Sequence, residues 1–322
     1  MGVFARLQSM IRNLHWGLLG SCAVAALAAP AWAAEGWMTD LPAALQQAER
    51  EGKLVLVDFT GSDWCSACIV LRRTVLDKPA FREFAADKFV LMEVDLPMKV
   101  GMNPELRRRN EEIAKRYGVG GFPTVMVLDP QGRVMGGFQG GGLSQSEVQQ
   151  VLVNACEAAA LFRRAAGQGG EAKARTLYEV YRNFPEGKSF AAAREALVQE
   201  ILKADEKNVT GIHDVAAVGA QARRFEEQRA ALPTGSAEMG RLLDAQLAEA
   251  LPENRTEVMM ARCQHAMATA ETEEDVQATR RMFEELLPLV TEEEARELQH
   301  FLNVYFRDPA ALLQVLKANR PK

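Results

Sequence analysis

The chain has 322 residues, 48% of them hydrophobic and 25% charged, and a formal net charge of −5. The length exceeds one average domain and predicts two. An acidic balance without a long basic run argues against a nucleic-acid groove, and the apolar content is that of a soluble globular protein.

The N-terminus is unlike the rest. Arg6 and Arg12 are the only charges before Glu35, and an apolar stretch from Trp16 to Ala29 follows them. Pro30 then precedes Ala31-Trp32-Ala33, with small residues at both positions that a signal peptidase reads. This order predicts a secretory signal over residues 1–33 and an exported, periplasmic or cell-envelope protein. An uncleaved anchor, or lipidation at Cys22 after Leu19-Gly20-Ser21, are the alternatives, and membrane contact is expected only in those cases. Losing Cys22 with the signal leaves Cys65, Cys68, Cys156 and Cys263, too few in so long a chain for a disulfide scaffold.

In chain order, Leu41, Ala44, Leu45 and Ala48 recur at helical spacing, and Gly52 ends that helix. Leu54-Val55-Leu56-Val57 is a continuous apolar run, as in a strand buried on both faces of a mainly parallel sheet. A polar loop, Thr60 to Asp63, leads to Cys65-Ser66-Ala67-Cys68, and Ile69, Leu71, Val75 and Leu76 carry a helix on from it. Phe89 to Met92 with Val94 predicts a second buried strand. A loop containing Pro97 and Pro104 and a helix from Glu105 to Tyr117 follow. Val125 to Leu128 predicts a third strand. Asp129-Pro130-Gln131-Gly132 has type I turn preferences, and Val134-Met135 begins a returning antiparallel strand. Ser144, with Glu147 three residues on, is a helix N-cap candidate.

Past Phe162 only amphipathic helical segments are predicted. Gly167 to Gly170 is the expected linker, and breaks fall at Phe184 to Gly187, Asn208 to Gly211, Pro233 to Gly235, Pro252 to Asn254 and Asp308-Pro309. Met239, Leu242, Leu243 and Leu247 form a representative stripe, the core face of a helical bundle. Asp205 to Asn208 before Gly211 is the one joint that is similar to a tetratricopeptide repeat.

The chemistry centres on the close cysteine pair. A strand-to-helix junction puts Cys65 at a helix N-terminus, where free N–H groups and the dipole stabilise a thiolate. Cys65 is therefore the expected nucleophile, and Cys68, one turn deeper, is placed to resolve a mixed disulfide. A bridge that never turns over is the alternative. A metal site would need two further ligands, and none is expected. Asp58 stands in an otherwise apolar strand, where a carboxylate needs a reason.

Val57-Asp58-Phe59, Trp64-Cys65-Ser66-Ala67-Cys68 and Gly121-Phe122-Pro123-Thr124 resemble, in order and spacing, the thioredoxin superfamily over about residues 37–162. A nearer likeness is to exported bacterial members with a Phe-Thr-Gly-Ser-Asp-Trp-Cys approach, here Phe59 to Cys65. Their Asp-x-Pro is Asp95-Leu96-Pro97, and the Asn-Glu of the helix that follows is Asn110-Glu111. The resemblance implies an α/β thioredoxin fold, a central mixed sheet flanked by helices; the helical segments beyond it predict a separate all-α domain over 171–322, either a bundle or a repeat array.

It further implies that Asp58 is the acid/base acting on Cys68, and that Pro123 is a cis-proline leaving the Phe122 backbone to pair with an extended substrate. Trp64 would be an exposed aromatic beside the sulfur, or else a core residue. Two departures stand out: the loop from Asp58 to Cys65 is one residue longer than in thioredoxin, and thioredoxin's buried middle-strand lysine is Leu91 here.

Gly136-Gly137 and Gly140 to Gly142 are plain turn glycines or points of close partner approach. Cys156 and Cys263 are free buried thiols or an interdomain bridge. The expected function is thiol–disulfide exchange with exported proteins, without a dissociable cofactor and with an unidentified upstream electron donor. Ser66 and Ala67 add no positive charge beside Cys65, so a reducing or isomerising direction is expected. The rival is a protein-binding scaffold with a structural disulfide. An assay of the pair's reactivity separates the two.

Overall fold

The computed structural model describes residues 36–99 and 101–319; the predicted signal segment lies outside the described residues. They divide between two compact units, one running up to His213 and one starting at Asp214. No helix among them is long and apolar enough to cross a membrane.

The first unit is built on a four-stranded sheet of order β2-β1-β3-β4, with β1 Leu54–Thr60, β2 Phe89–Asp95, β3 Thr124–Leu128 and β4 Val134–Gln139. β1 pairs with β2 in parallel and with β3 antiparallel, and β4 returns antiparallel on β3, so the sheet is mixed. Every residue of β1 and β3 is buried, which accounts for the apolar runs Leu54 to Val57 and Val125 to Leu128 within them. The predicted turn closes β3 onto β4, with the Gly132 N–H donating to the Asp129 carbonyl at 2.9 Å.

Helix α1, Leu41–Glu51, begins where Asp40 accepts from the Ala43 N–H and ends at Gly52 in the left-handed conformation. Helix α2, Ser66–Leu71, runs into a π-helical turn, Arg72–Leu76, before α3, Pro79–Ala86. The wider turn buries Leu71, Val75 and Leu76 together and leaves Ile69, expected on the apolar face, exposed with Val70. Helix α4 is Pro104–Arg116, and α5, Gln145–Ala166, starts at a full capping box between Ser144 and Glu147.

Gly136 and Gly137 are not turn glycines: both lie inside β4. A Cβ on Gly137 would sit 2.0 Å from the Val125 carbonyl oxygen, and one on Gly136 would meet the Ala155 methyl at 3.0 Å. They let β4 close on β3 and α5 close on the sheet.

Helices α6, Gly170–Asn183, and α7, Ala191–Ala204, complete this unit, separated by a 3₁₀ turn at Lys188–Phe190. Lys173 and Arg133 both reach Glu200, and Arg133 lies over the Phe162 ring. Asp205 then caps the next turn, its carboxylate accepting from the Val209 and Thr210 N–H groups.

The second unit is helical throughout its described residues. Pro252 and Pro309 open helices at the first position, where a missing N–H costs nothing. Its core packs Met260, Cys263, Leu298 and Leu302 around Phe283, Phe301 and Phe306, whose rings meet edge-on at 5.6–5.9 Å.

Candidate active site

β1 delivers the chain into a tight turn in which the Cys65 N–H donates to the Gly61 carbonyl at 2.9 Å. Cys65 is the N-cap of α2, and its Sγ accepts from the Cys68 N–H at 3.1 Å. The two cysteines form a disulfide with Cα atoms 5.2 Å apart; Cys65 is 7% exposed and Cys68 3%. The Cys65 sulfur therefore sits at the positive end of a helix with one N–H already aimed at it, and Cys68 is the more buried residue of the two. A pair so placed can pass two electrons to another disulfide, or take them from another dithiol, through a mixed intermediate.

The longer approach loop is latched to the end of β2 and the loop after it. Ser62 donates to the Asp95 carboxylate from both its N–H, at 2.9 Å, and its hydroxyl, at 2.6 Å. The Asp63 carboxylate accepts from the N–H groups of Met98 at 2.9 Å and Lys99 at 2.6 Å. Trp64 donates from its indole nitrogen to the Leu96 carbonyl at 2.9 Å and leaves 39% of its surface exposed. Its ring meets Phe122 edge-on at 5.6 Å. Gly61 has no room for a side chain, since a Cβ would lie 2.4 Å from that indole.

Pro123 is buried immediately before β3, and the Phe122–Pro123 bond is cis. Its carbonyl accepts from the Gly140 N–H at 2.8 Å. Gly141 packs against Ala67 between the two cysteines, a Cβ there lying 3.0 Å from the alanine methyl. On the other side of the proline the Gly120 N–H donates to the Ser189 hydroxyl at 3.3 Å, and Lys188 lies along Gly120. The turn before α7 thus touches the segment leading into the proline.

Asp58 is 2% exposed in β1. Burial pushes its carboxyl up to about 7; Arg72 pulls the other way, and Glu93, Asp95 and Asp77 add to the rise. Arg72, from the π-helical turn, places its Nη2 4.0 Å from an Asp58 oxygen and pairs directly with Glu93. Glu93 is itself raised above the ordinary carboxylate range, first by burial. The cation missing at Leu91 is thus supplied from a different element. Sequence reasoning passed over both Arg72 and Glu93. The signal for Glu93 was the one used for Asp58: a charge inside a buried apolar run.

Cys156 and Cys263 are free and lie in different units, with burial raising both thiols, Cys263 to about 12. Among the described residues no group of three or more His, Cys, Asp or Glu side chains is placed to hold a metal ion.

The thioredoxin-like family model matches residues 36–130. The disulfide bond reductase DsbH of Chlamydia pneumoniae is 36% identical over 101 residues, covering 31% of this chain and 61% of that protein. The thioredoxin-related protein DsbJ of the same organism is 29% identical over 132 residues, covering 40% of this chain and 37% of the other. The chain thus spans less than two thirds of either relative. A solved DsbH oxidoreductase is 29% identical, covering 42% of this chain and 95% of that one, with a TM-score of 0.35. The family match and the mixed sheet agree: residues 36–130 lie in a thioredoxin-like domain.

Proposed function

We propose that this chain is a thiol–disulfide oxidoreductase of exported proteins, working in the reducing or isomerising direction. The observation that carries the reading is the Cys65–Cys68 disulfide at a helix N-terminus, with Cys65 as the N-cap and Cys68 the more buried residue of the two. In the reduced protein the Cys65 thiolate attacks a client disulfide, forming a mixed disulfide and releasing one client sulfur as thiolate. Asp58 takes the proton of Cys68, and the Cys68 thiolate attacks the Cys65 sulfur. The second client sulfur leaves with the electron pair, so two electrons have reached the client and the pair is oxidised. A donor dithiol, itself oxidised in the exchange, restores it.

Trp64 and Phe122 form the client-facing surface, and the buried cis Pro123 beneath them presents the Phe122 backbone for pairing with an extended segment. The name of the reductase relative supports the reducing direction, as does the lack of a positive charge at Ser66 and Ala67. The N-terminal pattern supports export, and the electron donor would then be another envelope dithiol.

Two measurements test this: catalysed reduction of insulin, and equilibration with a graded dithiothreitol couple. A potential nearer thioredoxin's value of about −270 mV than the strong periplasmic oxidant's value of about −120 mV is expected. A value near the latter would overturn the direction, and no turnover at all would favour a scaffold with a structural bridge.

A further inference from the structure

The buried charges beside Asp58 exceed what one acid/base needs. Asp58 and Glu93 are register partners on neighbouring parallel strands, so both side chains leave the same face of the sheet. Both are buried, and the guanidinium facing the two is that of Arg72. Trp37 lies 5.1 Å from that guanidinium and covers it.

The sharing is unequal. Glu93 holds Arg72 by direct hydrogen bond and ion pair. Asp58 sees the guanidinium only at 4.0 Å, beyond hydrogen-bond reach. Oδ1 of Asp58 and Nη2 of Arg72 are buried without a hydrogen-bond partner. The cation and the acid that would satisfy each other are thus held apart. The other charges bearing on Asp58 are negative: Asp95 on β2, engaged by Ser62, and Asp77 after the π-helical turn, 3.9 Å from Arg72 Nε.

We infer that Glu93 is a positioning residue for the dithiol chemistry: by holding Arg72 it keeps the guanidinium off Asp58 and so sets the proton affinity of the acid/base. The inference rests on the proton-transfer role proposed for Asp58. The step it governs is the transfer of the Cys68 thiol proton to an Asp58 oxygen, leaving the sulfur electron pair to attack Cys65. With Arg72 fully engaged by Asp58, the carboxylate would be too weak a base to take that proton at neutral pH. With no cation at all, it would hold its own proton too tightly to accept another.

The two neighbours therefore act in opposite senses, and a merely structural role would not produce that. In Glu93→Gln the charge of Glu93 is lost and the freed guanidinium can close on Asp58, so the Asp58 titration should move down by about one pH unit or more, and by much less when Arg72 is replaced by Met as well. In Arg72→Met the titration should move up, and Arg72→Lys should bring it back toward wild type. The readouts are the carbon-13 carboxyl titration of Asp58 in the full chain, assigned by its loss in Asp58→Asn, and the pH profile of single-turnover reduction of a disulfide peptide. Circular dichroism confirms that each variant is folded; where Glu93→Gln or Arg72→Met is not, Glu93→Met or Arg72→Gln removes the same charge and should shift the titration in the same direction. Shifts of opposite sign in both readouts support the inference. Shifts of the same sign, or none while Asp58→Asn still alters the profile, overturn it and leave the role of Asp58 standing. A profile that Asp58→Asn does not alter overturns that role, and this inference with it.

Discussion

Burying Asp58 has a stability consequence that its replacement by Asn exposes. Its carboxyl is raised from an ordinary value of 3.8 to about 7, so between those values the folded chain holds a proton that the unfolded chain has released. Stability from this group therefore falls as pH rises through that window, and the loss is complete above about pH 7. At about 1.4 kcal/mol for each tenfold change in proton affinity, the charged Asp58 costs the fold about 4 kcal/mol at pH 8 and well under 1 kcal/mol at pH 4. Asn cannot ionise. Whatever fixed cost its amide brings, its stability relative to wild type should improve by roughly 3–4 kcal/mol between pH 4 and pH 8. Urea titrations of the oxidised proteins at pH 4, 6 and 8, followed by circular dichroism, measure the difference. A difference independent of pH, or one moving against the variant as pH rises, would refute a buried carboxylate that ionises at a cost.

A short iodoacetamide pulse on the reduced protein at neutral pH should label Cys65 well ahead of Cys68, because Cys65 caps the helix and Cys68 is more enclosed. Equal labelling by mass spectrometry would remove the case for an activated nucleophile. Gly137→Ala should destabilise by about 3 kcal/mol or more, since its Cβ would overlap the Val125 carbonyl at 2.0 Å; an unchanged urea midpoint would contradict the packing of β4 on β3. Gly61→Ala should push the Trp64 indole off the Leu96 carbonyl, altering the near-ultraviolet dichroism and slowing peptide-disulfide reduction. Unaltered spectra and rate would contradict the placement of that ring.

The strands were readable because burial on both faces removes alternation, as at Leu54 to Val57 and Val125 to Leu128, where only apolar runs survive. The cysteine pair was readable because its position at a strand-to-helix junction is itself the chemical signal. Arg72 was not: a π-helical turn is invisible to a 3.6-residue pattern, and an arginine on a helix reads as solvent-facing. Glu93 was skipped inside an apolar run that still reads as a strand without it. Asp63 sat in a loop whose latch to Met98 and Lys99 depends on a tertiary approach no local pattern encodes. In the helical unit, breaks at Pro252 and Pro309 were legible, but those before Glu273 and Glu292 carry no glycine. Their signal was the capping pairs Thr272 with Asp275 and Thr291 with Glu294.

The exchange chemistry itself is tested most directly by removing the resolving thiol. In Cys68→Ala the mixed disulfide on Cys65 loses its fast intramolecular exit, so client adducts should persist. Full-length protein expressed in a Gram-negative host, its envelope extract alkylated and run on a non-reducing gel, should show dithiothreitol-sensitive adducts that disappear when Cys65 is replaced as well. A clean lane for Cys68→Ala, or adducts that survive loss of Cys65, would contradict Cys65 as the nucleophile of a thiol–disulfide oxidoreductase.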